Sequence, residues 1–288
     1  MDPVLRPARL EDKDSILAFT QGTFPWGDYI DRVFDGWLTD GSGLTLVAEV
    51  QGEVVGLARG TLLSPAEAWV QGLRVHPDHR RRRLATALVD HLAARAAEQG
   101  ARVIRLSSED SNTAAGALIP TLGFRPVGRW VLAAREVGRG RPFPRGNGGR
   151  RAPAADRLRP APPAEADAAM ISWCGGPLEV EARSLFPRRW SWRRLTLDDL
   201  AEAARRGALW QGRPGWAFAE LDEDEFDVHW LSTCPEDARA LVAALLDLAA
   251  DAGAGRLEAV LPAVDWLSAA FEHAACELVP LTVYARGL

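Results

Sequence analysis

The spacing of apolar positions changes along the chain, and each change marks an element. "VLRPARL" alternates and predicts a short strand. "EDKDSILAFTQ" then repeats at helical spacing, with acidic residues at its start, where the helix dipole favours them. In "FPWGDYIDRVFDGWLTD", Tyr29, Val33 and Trp37 fall on one helical face. "LTLVAEV" and "EVVGLARGTLL" flank Gln51-Gly52 and predict a β-hairpin. "AEAWVQGLRV" is a third long strand, stopped at His76-Pro77. "RRLATALVDHLAARAAEQG" predicts a helix with Leu84, Leu88, Leu92 and Arg95 on one stripe and Gly100 as its stop. "ARVIRLSS" is a strand, "NTAAGALIPTLG" a short helix, and "FRPVGRWVLAARE" a closing pair of strands. The expected fold is α/β (α+β), a mixed sheet with helices on both faces.

The periodicity then stops. "GRGRPFPRGNGGRRAPAADRLRPAPPAE" is dense in Gly, Pro and Arg and reads as a linker over 139–163. Order resumes from 164 with a helix in "SWRRLTLDDLAEAARRG" and strands in "GWAFAEL" and "FDVHWLS". "PEDARALVAALLDLAADAG" is a helix, and "RLEAVLP", "AVDWLSAAFEHAA" and "CELVPLTVYARGL" read strand, helix, strand. This order repeats the second half of the first segment, so two related domains are expected, 1–138 and 164–288.

Charge sharpens the division. Residues 1–138 carry 16 Lys+Arg against 17 Asp+Glu, 139–163 carry 7 against 1, and 164–288 carry 11 against 21. The overall −5 argues against general nucleic-acid affinity, and the Arg-rich strap lacks the interleaved aromatics that binding to single strands would use. Three widely spaced cysteines offer no metal spacing or disulfide framework, which fits a reducing cytoplasm. No secretory leader is expected from "MDPVLRPARLEDKDS", and no apolar run reaches membrane-spanning length. His76, His79, His91, His229 and His273 show no paired spacing, and no metal is expected.

The chemistry concentrates in "DHRRRRLATAL". A strand, a Pro-containing turn and four arginines lead directly into a helix. A helix N-terminus exposes unpaired N–H groups and the positive dipole end, and guanidinium groups add the geometry that suits pyrophosphate. A phosphate-bearing ligand is therefore expected at Arg80, Arg81, Arg82 and Arg83; the alternative is a solvated charge run.

"LRVHPDHRRRRLATALV" resembles motif A of the GNAT superfamily of N-acetyltransferases, Arg/Gln-x-x-Gly-x-Gly/Ala, with Arg80 first and Ala85 last. "NTAAGALIPTLGF" resembles motif B, with Asn112, Ala115, Leu118, Gly123 and Phe124 matching. The resemblance covers residues 4–136 and implies a mixed, mostly antiparallel sheet. It also implies acetyl-CoA as co-substrate, its pyrophosphate on Arg80 to Arg83, Leu84, Ala85 and Thr86. The pantetheine arm would then run along Leu73 and Val75, with Asn112 beside it. Residues 164–288 share only the outline, like a degenerate second copy whose "TCPEDARALV" start is acidic and would repel pyrophosphate.

Two positions depart from the pattern. Arg83 stands where the motif has Gly, though a helical φ remains open to arginine. Ile119 stands where many members carry the tyrosine that protonates the departing thiolate, so another donor or water must serve.

The implied activity is direct acetyl transfer to the amine of a small molecule; the alternative is a non-catalytic acyl-CoA-binding or interaction module. Glu67 and Glu109 are the carboxylates placed to act as general base, or are plain surface glutamates. Trp26, Asp28 and Tyr29 can shape an amine pocket, since aromatic faces and a carboxylate suit a cation; Tyr29 equally reads as core. "DYIDRVFDGWL" with "WVQGLRV" is similar to GNAT proteins that acetylate free amino acids such as histidine.

Overall fold

In the computed structural model, which describes residues 3–23, 27–138 and 152–288, the chain opens with β1 (Val4–Pro7), α1 (Lys13–Thr20) and α2 (Ile30–Thr39). The strands β2 (Gly43–Val50) and β3 (Glu53–Ser64) are joined by Gln51 and Gly52, both left-handed (φ 55° and 87°), the backbone a two-residue hairpin requires. Next come β4 (Glu67–Val75), α3 (Leu84–Glu98), β5 (Val103–Glu109) and α4 (Thr113–Leu118), the last extended by a 3₁₀ turn at Ile119–Leu122. β1 to β4 pair antiparallel in chain order, whereas β4 and β5 pair parallel.

Two apolar layers sandwich this sheet. On one face Leu84, Leu88 and Leu92 of α3 pack with Leu46, Val55, Ala68, Val70 and Ile104. A fully buried leucine contributes about 1.5–3 kcal/mol, so this stripe anchors α3 firmly. Its fourth predicted member, Arg95, is exposed, and Ala96 is buried instead. On the other face Ile16 and Phe19 of α1 and Ile30 and Phe34 of α2 cover Val47 and Leu57. The buried stripe of α2 thus runs through Ile30 and Phe34, one residue on from Tyr29 and Val33. Arg59 (1% exposed) ties α2 to β2, bonding Trp37 O at 2.6 Å and Thr45 Oγ1 at 2.9 Å and pairing with Asp40.

"FRPVGRWVLAARE" forms one strand, β6 (Arg125–Glu136), and not the expected pair. Beyond it lie β7 (Arg159–Pro160), α5 (Ala166–Cys174), α6 (Pro177–Ala182), β8 (Leu185–Arg188), β9 (Ser191–Arg194), α7 (Leu197–Arg205) and β10 (Leu209–Gly212). The chain ends with β11 (Gly215–Asp222), β12 (Glu225–Ser232), α8 (Ala238–Asp251), β13 (Arg256–Pro262), α9 (Asp265–His273) and β14 (Glu277–Gly287).

Two compact units result. The first comprises Met1–Ser107, Thr113–Arg125 and Tyr284–Leu288, and the second Ser108–Asn112 and Pro126–Val283. This division follows packing rather than chain order. In the first unit β5 is flanked on its far side by the end of β14, the chain's own last residues. Arg286 of that end donates to Asp90 at 2.6 Å and to Leu122 O at 3.1 Å.

In the second unit the order is β14, β6, β13, β12, β11, β10, β7. β12 and β13 pair parallel, whereas β6–β13, β11–β12, β10–β11 and β7–β10 pair antiparallel, so the sheet is mostly antiparallel like that of the first unit. Residues 139–151 of the expected linker lie outside the described residues. The rest of it is packed: Ala152 and Leu158 are buried, and Arg213 pairs with Asp156 at 2.6 Å. Four tryptophans form two edge-on pairs in this unit, Trp130 with Trp192 at 5.8 Å and Trp173 with Trp230 at 5.6 Å.

Asp227, Glu225 and Glu258 bring carboxylate oxygens within 4.8 Å of one another, and Arg256 Nε donates to Glu258 at 2.9 Å. Burial, with neighbouring acids, pushes the Asp227 carboxyl up to about 6. A carboxyl raised on folding favours the folded state when protonated, and that contribution is lost as pH rises through the folded value. Asp227→Asn is therefore expected to gain stability on the wild type as pH is raised from about 4 to 6. Urea midpoints measured across that range check this; parallel curves would contradict it.

Candidate functional site

The first unit opens where β4 and β5 part. They pair only through Glu67–Val103, Ala68–Ile104 and Trp69–Arg105, and then diverge, leaving the β4 edge beyond Trp69 unpaired on that side. Just past that point β4 sets Gly72 and Leu73 against the single residue Ala58 of β3, because Gln71 pairs with Arg59 and Arg74 with Leu57. Gly72 is left-handed (φ 66°), and a methyl group there would lie 2.5 Å from the Trp37 ring. This is a β-bulge at a place where only glycine fits both backbone and space. A glycine inside a strand pattern is the signal that announces such a feature, and Gly72 was not singled out from the sequence.

The strand then delivers the chain to the arginine turn. A short 3₁₀ turn at Pro77–His79 precedes Arg80, and Arg81 and Arg83 are both left-handed (φ 61° and 58°). Arg83 is the N-cap of α3, so the helical φ expected for it is corrected: the position demands glycine-like backbone and arginine occupies it under strain. Left-handed backbone costs a non-glycine residue about 1–2 kcal/mol, and glycine's extra freedom when unfolded returns part of that. Arg83→Gly is expected to stabilise the protein by about 1 kcal/mol, read as a higher denaturation midpoint.

The first bond of α3 runs from Ala87 N to Arg83 O at 3.0 Å. The N–H groups of Leu84, Ala85 and Thr86 therefore have no intrahelical partner. Arg80 to Arg83 are all exposed, and among the described residues none makes an ion pair. Arg80 Nε reaches back to Val75 O at 3.4 Å. Three donors without an intrahelical partner, a helix dipole and four guanidinium groups that make no ion pair among the described residues thus share one turn at the end of the freed β4 edge, where Leu73 and Val75 sit half-buried.

The other expected residues are placed differently. Glu67 lies at the opposite, paired end of β4, is 7% exposed, and holds Arg105 at 2.7 Å. About six residues of strand, roughly 20 Å, separate it from Leu73, so it does not join the site. Asp28 is bound by Arg74 through two bonds of 2.8 and 3.2 Å and accepts from Ile30 N at 3.1 Å. Its charge is already matched, which corrects its expected role as a partner for a substrate cation. Burial pushes the Tyr29 hydroxyl up from its ordinary value, while the Arg74 guanidinium and the Gly72 backbone act the other way. The Arg74 guanidinium lies 5.4 Å from the Tyr29 ring centroid.

Trp26 lies outside the described residues. Glu109 and Asn112 are counted with the second unit, where Asn112 N bonds Glu109 O at 3.1 Å. Ile119 is buried (4% exposed) in the cluster under α3.

A parallel strand pair thus splays beside a bulge and leads into a helix N-terminus of the kind that suits an anion. Residues 13–124 match the model of the acetyltransferase (GNAT) family. Three solved structures share the architecture over nearly all of this chain. A GCN5-related N-acetyltransferase from Sphaerobacter thermophilus is 15% identical, covers 99% of this chain and 95% of its own, with a TM-score of 0.68. A putative acetyltransferase from Thermoplasma acidophilum is 17% identical, covering 99% and 100%, with a TM-score of 0.59. Another from Pyrococcus horikoshii is 16% identical, covering 100% and 90%, with a TM-score of 0.58. No curated protein matches the sequence. No helix among the described residues is long and apolar enough to cross a membrane.

Proposed function

We propose that this chain transfers the acetyl group of acetyl-CoA directly to the amine of a small molecule. One observation carries the reading: the α3 N-terminal turn, with its orphan N–H groups and unpaired arginines, stands at the end of a strand edge freed by the splay. The turn suits the pyrophosphate, held by Arg80 to Arg83 and the amides of Leu84, Ala85 and Thr86. The free edge at Leu73 and Val75 suits a pantetheine arm, whose amides bond to a strand as another strand would. The thioester would then lie near the bulge, where backbone N–H groups turned out of the ladder can stabilise a developing oxyanion.

Chemically the reaction needs a neutral amine, an oxyanion site and an exit for the thiolate. Asp28 and Glu67 are each held in an ion pair, with Arg74 and Arg105. The test is calorimetry with acetyl-CoA, followed by thiol release in the presence of a panel of small amines. Binding with turnover is expected. Binding without turnover would favour an acyl-CoA-binding module, and no binding would end the reading.

A further inference from the structure

Expelling a thiolate is eased by a proton delivered to sulfur, and the fold places a phenol on the strand beside β5. We propose that Tyr284, from the last strand of the chain, is the proton donor to the departing CoA sulfur; this rests on the acetyl-transfer reading above.

The register sets its position. Leu288 N bonds Arg102 O at 3.1 Å, and Asp110 N bonds Pro280 O at 2.9 Å. The two bonds are eight residues apart on each strand, so β14 runs antiparallel to β5 without a slip. Tyr284 therefore stands opposite Leu106, the first residue of β5 past its last pairing with β4 at Arg105. That is the head of the gap into which the thioester would enter.

Its face is set as well. Tyr284 packs on the cluster beneath α3, which Leu73 and Val75 also join, and Arg286, two residues on, bonds Asp90 of α3. The cofactor's phosphates are held at the N-terminus of α3, so its sulfur departs on that same side.

The chain has only one other tyrosine, and it is excluded on two grounds. Tyr29 lies on the opposite face, with α1 and α2, and its ring is covered by the Arg74 guanidinium, 5.4 Å from its centroid. Tyr284 is half-buried, and among the described residues its hydroxyl has no hydrogen-bond partner.

The step balances as follows. The amine nitrogen has added to the carbonyl carbon, the C–S bond breaks, and its electron pair goes to sulfur. The Tyr284 O–H proton passes to that sulfur to give the free thiol. The phenolate recovers a proton from water as the new amide nitrogen releases its surplus proton to solvent.

Tyr284→Phe removes only the hydroxyl. It is expected to lower kcat by about tenfold to a hundredfold, with acetyl-CoA affinity by calorimetry and the thermal midpoint both unchanged. The decisive comparison uses the selenoester analogue of acetyl-CoA, whose selenolate leaves without a proton; with it the variant should match the wild type. An equal loss with both donors, or no loss with either, would overturn the assignment while leaving acetyl transfer intact. A wild type that binds acetyl-CoA but turns over no amine, or does not bind it, would overturn both.

Discussion

Gly72→Ala is expected to destabilise the first unit by about 2–5 kcal/mol and to abolish most acetyl transfer. Two costs combine. A residue with a side chain at φ 66° loses about 1–2 kcal/mol to backbone strain. The new methyl would stand 2.5 Å from the Trp37 ring, and overpacking of that kind costs about 1–3 kcal/mol. Trp37 cannot simply swing away: Tyr29 lies edge-on to it at 6.2 Å, and the Arg59 guanidinium lies 5.7 Å from its centroid. The two costs separate experimentally. In Gly72→Ala with Trp37→Leu the clash is gone and the strain remains, so denaturation should recover about half of the loss attributed to the alanine. Full recovery, or none, would show that one of the two terms is misjudged.

Replacing Arg80, Arg81 and Arg82 together by alanine is expected to weaken acetyl-CoA binding by tenfold to a thousandfold, roughly one to two charge-assisted contacts of about 1.5–3 kcal/mol each. The backbone amides of Leu84, Ala85 and Thr86 survive the change, so binding should weaken without vanishing. Folding should be nearly untouched, because among the described residues these side chains make no ion pair. Calorimetry at low and high salt completes the test, since the lost increment should shrink with screening. Unchanged affinity in the triple variant would make the run a solvated face.

The parts of this site that were legible in the sequence are local. The arginine turn is a strand, a proline and a helix start within about a dozen consecutive residues, and its chemistry is fixed by that order. The hairpin at Gln51-Gly52 is of the same kind. What was misread depends on partners far along the chain. Asp28 is neutralised by Arg74, 46 positions away, and Glu67 by Arg105, 38 positions away. Arg83 was misjudged for a different reason: the residue type gives no hint of left-handed backbone, and only the neighbouring helix start imposes it. The expected strand pair at residues 125–136 failed because β6 is one strand, and the neighbour of β5 comes from the chain's last residues. No local pattern announces a partner from that distance. For the same reason Tyr284 was not singled out, although its phenol was in plain view.

The strand that completes the first unit emerges late in synthesis. Some 160 residues separate Arg125 from Tyr284, and at about 5–20 residues per second a ribosome takes roughly 8–32 s to traverse them. Throughout that interval the far edge of β5 lacks its neighbour, and exposed strand edges invite pairing with other chains. The first unit thus has an obligatory waiting period, which ends only when Tyr284–Leu288 have been made.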